Sequence, residues 1–215
     1  MKSTKPTIIC VFDPLCGWCF GFGPVLIRLQ ETYKDELEFD VISGGMITGN
    51  RVGPLSNMSS FIKQAYQQVE NHTGIRFGQK YIDETLEKGT ATNSSLEPAS
   101  MLTLFKRYQR EKAVEFSHEI QKLLFIEGID PVDMKAYIPL FEKYGFKREE
   151  IEPQLTLKDL QQETILEFQR AQNWNITGFP TCVLQAPDGK AYGLNRGYES
   201  FESLSLKIDK MLGKG

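Results

Sequence analysis

Thr7-Ile8-Ile9-Cys10-Val11-Phe12-Asp13-Pro14-Leu15-Cys16-Gly17-Trp18-Cys19-Phe20 is the stretch on which the reading turns. Thr7–Phe12 is a short apolar run rich in β-branched residues, the pattern of a buried strand. Asp13 and Pro14 end it. Two cysteines then stand three residues apart, and behind them Phe22, Val25, Leu26, Leu29 and Tyr33 fall at helical spacing. The spacing predicts a helix to about Asp35, with Pro24 inside its first turns as a kink, because proline lacks a donor and crowds the preceding turn. Glu38–Ile42 alternates toward Ser43-Gly44-Gly45 and reads as a second strand ending in a turn. The unit is β-α-β, and the cysteine pair sits where the first strand becomes the helix.

That position is chemical. A thiolate is the nucleophile in disulfide exchange, and its reactivity depends on its surroundings. Just before a helix, the Cys16 sulfur faces free backbone N–H groups that carry a partial positive charge. Cys19 follows within the first turn, where it can displace a substrate from a mixed disulfide. The pattern predicts Cys16 as the exposed attacker and Cys19 as the shielded resolver, with Trp18 as an exposed flat contact. A zinc pair or two inert thiols are the competing readings. Zinc needs four ligands, with a second pair at short spacing, and Cys10, Cys182, His72 and His118 are isolated in the sequence. No metal is expected.

From about Pro54 to Glu152 the pattern is helical. Phe61, Ile62, Ala65 and Val69 share one face; Met101, Leu102 and Phe105 another; Ile120, Leu123 and Leu124 a third, with Gly128 as its expected C-cap. Asp130-Pro131 reads as the next helix start, with Asp as N-cap and Pro at N1. Tyr137, Ile138 and Phe141 form its apolar face. These stripes are expected to be core. Leu157–Trp174 is a long helical pattern. Then come Thr177-Gly178-Phe179-Pro180, a strand Thr181–Gln185, a tight turn at Asp188-Gly189, a strand Ala191–Leu194, and a last amphipathic helix through Phe201, Leu204, Ile208 and Leu212.

The strand–CxxC–helix unit, the later Gly-Phe-Pro-Thr before a strand, and the terminal ββα together resemble the thioredoxin superfamily. The long helical stretch between Cys19 and Pro180 is similar to the DsbA-like branch, including its predicted cytoplasmic disulfide isomerases and FrnE-like members. Leu124-Phe125-Ile126-Glu127-Gly128-Ile129-Asp130 resembles a helix-end pattern of that branch. The resemblance covers essentially the whole chain. It implies an α/β thioredoxin fold with an all-helical insertion: a thioredoxin-like domain over 1–50 plus 160–215 and a helical insertion domain over 51–159. It also implies a cis Pro180 lying against the dithiol, with Phe179 and Pro180 shaping a groove for an extended peptide. One departure is visible. The buried acid often found six residues before the attacking cysteine is replaced here by Cys10, and the direction of Asp13 is open. Cys10 and Cys182 would lie side by side, as two small buried hydrophobes or as a second redox pair.

The chain has 215 residues, 40% hydrophobic and 25% charged, which is one large domain or one carrying an insertion. At this size about 70% of the unfolded surface is buried, so four cysteines are not needed as staples. Net charge is −3 with no basic stripe, which argues against nucleic acid as a partner. No apolar run approaches the roughly 20 residues of a bilayer span, so no membrane partner is expected. Met1–Lys5 opens charged, and the following apolar run is too short for an export signal. The expected location is therefore cytoplasmic. The expected activity is thiol–disulfide exchange or isomerisation on protein or peptide thiols, with no bound cofactor and with glutathione or another thiol as co-substrate. The alternative is a glutathione-dependent transferase or isomerase of small molecules. Kappa-class transferases and hydroxychromene-carboxylate isomerases have a similar plan, but typically carry serine at the attacking position and no resolving cysteine. A non-catalytic adaptor using the groove beside Pro180 is a third reading.

Overall fold

The computed structural model describes residues 5–214. Most of the opening segment read above as no export signal, Met1–Thr4, lies outside them. β1 (Thr7–Phe12) leads into α1 (Gly17–Tyr33) and back to β2 (Glu38–Ser43), which pairs parallel with β1. A parallel neighbour needs a crossover, and α1 supplies it. β5 (Thr181–Gln185) pairs antiparallel with β1 on its other side, and β6 (Ala191–Arg196) with β5, giving the order β2-β1-β5-β6. The chain between β2 and β5 holds β3 (Gly53–Pro54), α2 (Ser59–Thr73), β4 (Thr92–Asn93), α3 (Leu96–Gln109), α4 (Ala113–Phe125), α5 (Ile138–Lys143), α6 (Arg148–Ile151) and α7 (Lys158–Asn173); α8 (Phe201–Met211) closes it. This is a mixed α/β thioredoxin core with a helical insertion. Within the insertion the exception to helix is the two-residue ladder of β3 with β4.

Alternation along β1 sorts the core. Ile8, Cys10 and Phe12 join the large apolar cluster with Leu26 and Leu29 of α1. Ile9 and Val11 face the other way, with Ile42 of β2 and Ala171 of α7. α1 runs unbroken through Pro24. In the insertion, Phe105 of α3 stacks on Phe116 of α4 with centroids 3.7 Å apart, and Phe141 and Tyr144 close on the pair edge-on.

Two expected caps are corrected. α4 ends at Phe125 with Ile126 as its C-cap, and Gly128 takes a positive φ of 65° in the turn beyond. Asp130 starts no helix. Its carboxylate accepts from the N–H groups of Val132 and of Thr92 in β4, each at 3.2 Å. The next helical turn, Met134–Tyr137, is capped by Asp133 instead. A carboxylate holding two amides is used up as a local tie.

A buried charge cluster joins insertion to sheet. Lys106 of α3 reaches Glu167 of α7 at 2.6 Å, Asp40 of β2 at 3.3 Å and the Val41 carbonyl at 2.7 Å, with its side chain 7% exposed. No helix among the described residues is long and apolar enough to cross a membrane.

Candidate active site

Cys16 is the N-cap of α1, in extended backbone (φ −88°, ψ 111°). Its Sγ accepts from the Cys19 N–H at 3.4 Å, so the sulfur satisfies one of the helix's unpaired donors. The same thiol donates to the Phe179 carbonyl at 3.6 Å. That oxygen belongs to the Phe179–Pro180 peptide group, which is cis. Residues 163 positions apart therefore meet on one sulfur because β1 and β5 are neighbours in the sheet.

Cys16 is 7% exposed and Cys19 3%. The order matches the expectation, but the exposed attacker does not: Cys16 opens onto a cavity of about 550 Å³ rather than onto bulk solvent. Burial, then the hydrogen bond and charge of Cys16, push the Cys19 thiol well above its usual range. A negative charge is thus disfavoured on the inner sulfur, while the outer one meets the helix N-terminus.

The loop between β1 and α1 is pinned from three sides. Asp13 is fully buried, and its carboxylate accepts from the N–H of Leu15 (3.0 Å), the N–H of Met46 (2.6 Å) and the Ser95 hydroxyl (2.9 Å). Burial still raises its pKa from 3.8 to about 6 against those donors. The Asp13 carbonyl accepts from Cys16 N at 3.0 Å. Gln121 of α4 donates to the carbonyls of Asp13 (3.3 Å) and Cys16 (3.3 Å). A further buried group, His118 of α4, stacks on Phe20 with centroids 5.5 Å apart, and burial lowers its pKa from 6.5 to about 4.

The cavity lies between the dithiol and the insertion. Trp18, Phe61, Ile62, Tyr66, Val69, Phe77, Tyr81, Phe125 and Phe179 line it, and Arg51 is the one charged residue on its wall among the described residues. The α2 stripe Phe61, Ile62, Ala65 and Val69, expected as core, also lines this wall: Val69 is buried in the core cluster at 1% exposure, while Phe61 is 66% exposed. An apolar stripe looks the same in sequence whether it packs on protein or on a void. Trp18 is half-buried, its ring 5.7 Å from His72 and 6.4 Å from Tyr198. Phe179 lines the cavity, and Pro180 is buried with its carbonyl accepting from Gly197 N at 2.7 Å. The arrangement can present one sulfur nucleophile to a substrate in an apolar cleft and hold a second sulfur behind it. Asp13 gave a position without a direction and His118 only an isolated histidine, while Gln121 gave no sequence signal, since each gains its partners only through the fold. The described residues contain no group of three or more His, Cys, Asp or Glu side chains placed to hold a metal ion.

Residues 7–208 match the family model described as a DSBA-like thioredoxin domain. Among solved structures, a candidate protein disulfide isomerase from Nitrosomonas europaea superposes with a TM-score of 0.86 at 25% identity, covering 98% of each chain. The cytosolic disulfide reductase DsbM from Pseudomonas aeruginosa superposes with a TM-score of 0.79 at 22% identity, over 97% of this chain and 100% of that one. The same reductase with GSH gives 0.76 at 21% identity, over 96% and 99%. No curated protein sequence matches the chain significantly. With the match spanning nearly its full length, the chain belongs to the DSBA-like thioredoxin domain family.

Proposed function

We propose that this protein is a thiol–disulfide oxidoreductase and isomerase of protein or peptide thiols, of the cytoplasmic FrnE-like branch, working through Cys16 and Cys19. Its thioredoxin-like domain is 1–50 plus 160–215, and 51–159 is the helical insertion domain. The observation that carries this reading is the Cys16 sulfur, bonded at once to the α1 N-terminus and to the Phe179 carbonyl, at the edge of an apolar cavity.

The Cys16 thiolate attacks one sulfur of a substrate disulfide, and the other substrate sulfur leaves as a thiolate. The Cys16 sulfur attacks from the α1 N-terminus, where the Cys19 N–H donates to it at 3.4 Å. Cys19 then attacks the Cys16 sulfur, the bond to substrate breaks, and a Cys16–Cys19 disulfide remains. Its raised pKa keeps Cys19 protonated until that point. Trp18, Phe179 and Pro180 form the substrate contact: the backbone of Phe179 aligns an extended peptide. In a reducing cytosol the net direction is reduction or isomerisation. Glutathione is the fitting co-substrate that returns the dithiol, a choice supported by its presence with the Pseudomonas reductase.

The apolar cavity favours one second reading, a glutathione-dependent reaction on a small apolar molecule, since about 550 Å³ lies in the range of small-molecule sites. Cys19 argues against it, because a transferase needs no resolving thiol. Insulin reduction and reactivation of scrambled ribonuclease, each with glutathione, test the choice. The proposal expects both activities in the wild type and neither in Cys16→Ser. Glutathione transfer to a small electrophile, undiminished in Cys19→Ser and without disulfide reduction, would favour the second reading.

A further inference from the structure

The two cysteines outside the motif face each other across the sheet. Cys10 of β1 and Cys182 of β5 are direct partners in the antiparallel register. The Cys182 N–H donates to the Asn195 side chain at 2.9 Å, toward β6 and away from β1. A strand residue points its N–H and C=O to the same side, so Cys10 and Cys182 form a non-hydrogen-bonded pair. In such pairs the Cα atoms are about 4.5 Å apart and the side chains are closest, inside the roughly 4.4–6.8 Å window of a disulfide. The ladder to β6 shifts register at Cys182/Val183, and such an irregularity adds local twist that re-aims side chains.

Both thiols are about 1% exposed and belong to the same packed cluster as Cys16 and Cys19. Alternation puts Cys10 on the face of the sheet that carries α1. Cys19, in the first turn of α1, is buried in that same cluster, and Cys10 and Cys182 stand directly opposite each other within it. Cys16 thus stands at the cavity, Cys19 is buried in the same helical turn, and the Cys10–Cys182 pair lies in the sheet that the cluster covers.

We propose that Cys10 and Cys182 are a second, internal redox pair that receives oxidising equivalents from the Cys16–Cys19 disulfide through Cys19. This rests on the reading of Cys16 and Cys19 as redox-active. The Cys10 thiolate attacks Cys19 Sγ, the Cys16–Cys19 bond breaks, and Cys16 leaves as a thiolate. Cys182 then attacks Cys10 Sγ, and Cys19 leaves as a thiolate. The two protons lost by Cys10 and Cys182 pass to Cys16 and Cys19. One disulfide has moved inward with no net gain or loss of electrons, and the outer dithiol is ready for another substrate. A fully reduced chain can thus reduce two substrate disulfides before a thiol reductant must act.

The test is oxidation of the fully reduced full-length protein by excess glutathione disulfide. Samples are quenched in acid and alkylated, and thiols are counted and mapped by mass spectrometry. The expected course in the wild type is four free thiols, then two, then none, with a Cys10–Cys182 disulfide in the final peptide map. Cys10→Ala should complete the first step and stop with one free thiol, Cys182, and Cys182→Ala should form a Cys10–Cys19 disulfide with glutathione on Cys16. Cys19→Ala should capture glutathione on Cys16 and leave Cys10 and Cys182 reduced. Persistence of reduced Cys10 and Cys182 in the wild type after Cys16–Cys19 has closed overturns the inward transfer and leaves the proposed function standing. Oxidation of the pair in Cys19→Ala at the wild-type rate overturns the route. A wild type in which Cys16 and Cys19 never close overturns both the transfer and the proposed function. The wild-type time course decides the first and third outcomes with no variant that must fold.

Discussion

Asp13 and His118 set opposite pH dependences on stability, and removing either exposes the other. Burial holds the folded Asp13 pKa at about 6 against 3.8 for the free group. Between those values the folded state binds more protons than the unfolded one. Stability contributed by Asp13 is then present at low pH and is lost as pH rises toward 6. At 1.36 kcal/mol per pKa unit this is about 3 kcal/mol. Burial lowers His118 from 6.5 to about 4. Here the unfolded state binds more protons, so stability is present above 6.5 and is lost as pH falls toward 4, again by about 3 kcal/mol. The two windows overlap, and the contributions nearly cancel between pH 4 and 6. Urea titrations across pH 4–7 on the wild type, Asp13→Asn and His118→Gln measure this. Relative to the wild type, Asp13→Asn should lose about 3 kcal/mol on acidification and His118→Gln should gain about as much. Asp13→Asn also sets an amide N–H₂ against the Met46 N–H that Asp13 accepts at 2.6 Å. That lowers stability at every pH but does not alter the slope. Variant profiles parallel to the wild type would refute the reasoning.

Three further outcomes follow from packing and charge. Lys106→Met should cost about 3 kcal/mol by leaving Glu167 without its buried cation, while Asp40 keeps Arg110, read as a fall in denaturation midpoint. Gly44→Ala places a Cβ about 2.1 Å from a Phe179 ring carbon, so it should cost about 1–3 kcal/mol by overpacking and slow Cys16 exchange, measured by alkylation and insulin-reduction rates. Phe61→Ser, on the exposed rim of the cavity, should leave stability within about 0.5 kcal/mol while raising KM for substrates with apolar flanks around their cysteine.

The sheet was legible because its signals are local. A β-branched apolar run for β1, alternation for β2, and the punctuation at Asp13-Pro14, Gly44-Gly45 and Asp188-Gly189 place β1, β2, β5 and β6 to within two residues at either end. The meeting of Cys10 with Cys182 followed from topology alone. What the sequence hid is long-range. Lys106 finds Asp40 and Glu167 from about 60 residues away on either side. Asp13 lies one residue past the strand, where alternation no longer gives direction, and its partners Met46 and Ser95 belong to other segments. Asp130 looked like a helix cap because its claim on Thr92, 38 residues back, leaves no local trace. The β3–β4 ladder is two residues long, too short for a period to show. The shielding of Cys16 depends on α2 standing across the cavity from it, which no spacing within the motif encodes.

The division of labour between the two motif cysteines is the centre of the account, and trapping measures it directly. Cys16→Ser and Cys19→Ser are each incubated with a disulfide-bonded protein substrate, quenched in acid and resolved without reductant. Cys19→Ser should accumulate a mixed disulfide through Cys16, because attack proceeds and resolution does not. Cys16→Ser should accumulate none, since Cys19 is 3% exposed and burial keeps its thiol protonated. Mixed disulfides on Cys16→Ser and none on Cys19→Ser would reverse the roles, and exchange unaffected by either substitution would contradict the redox function itself.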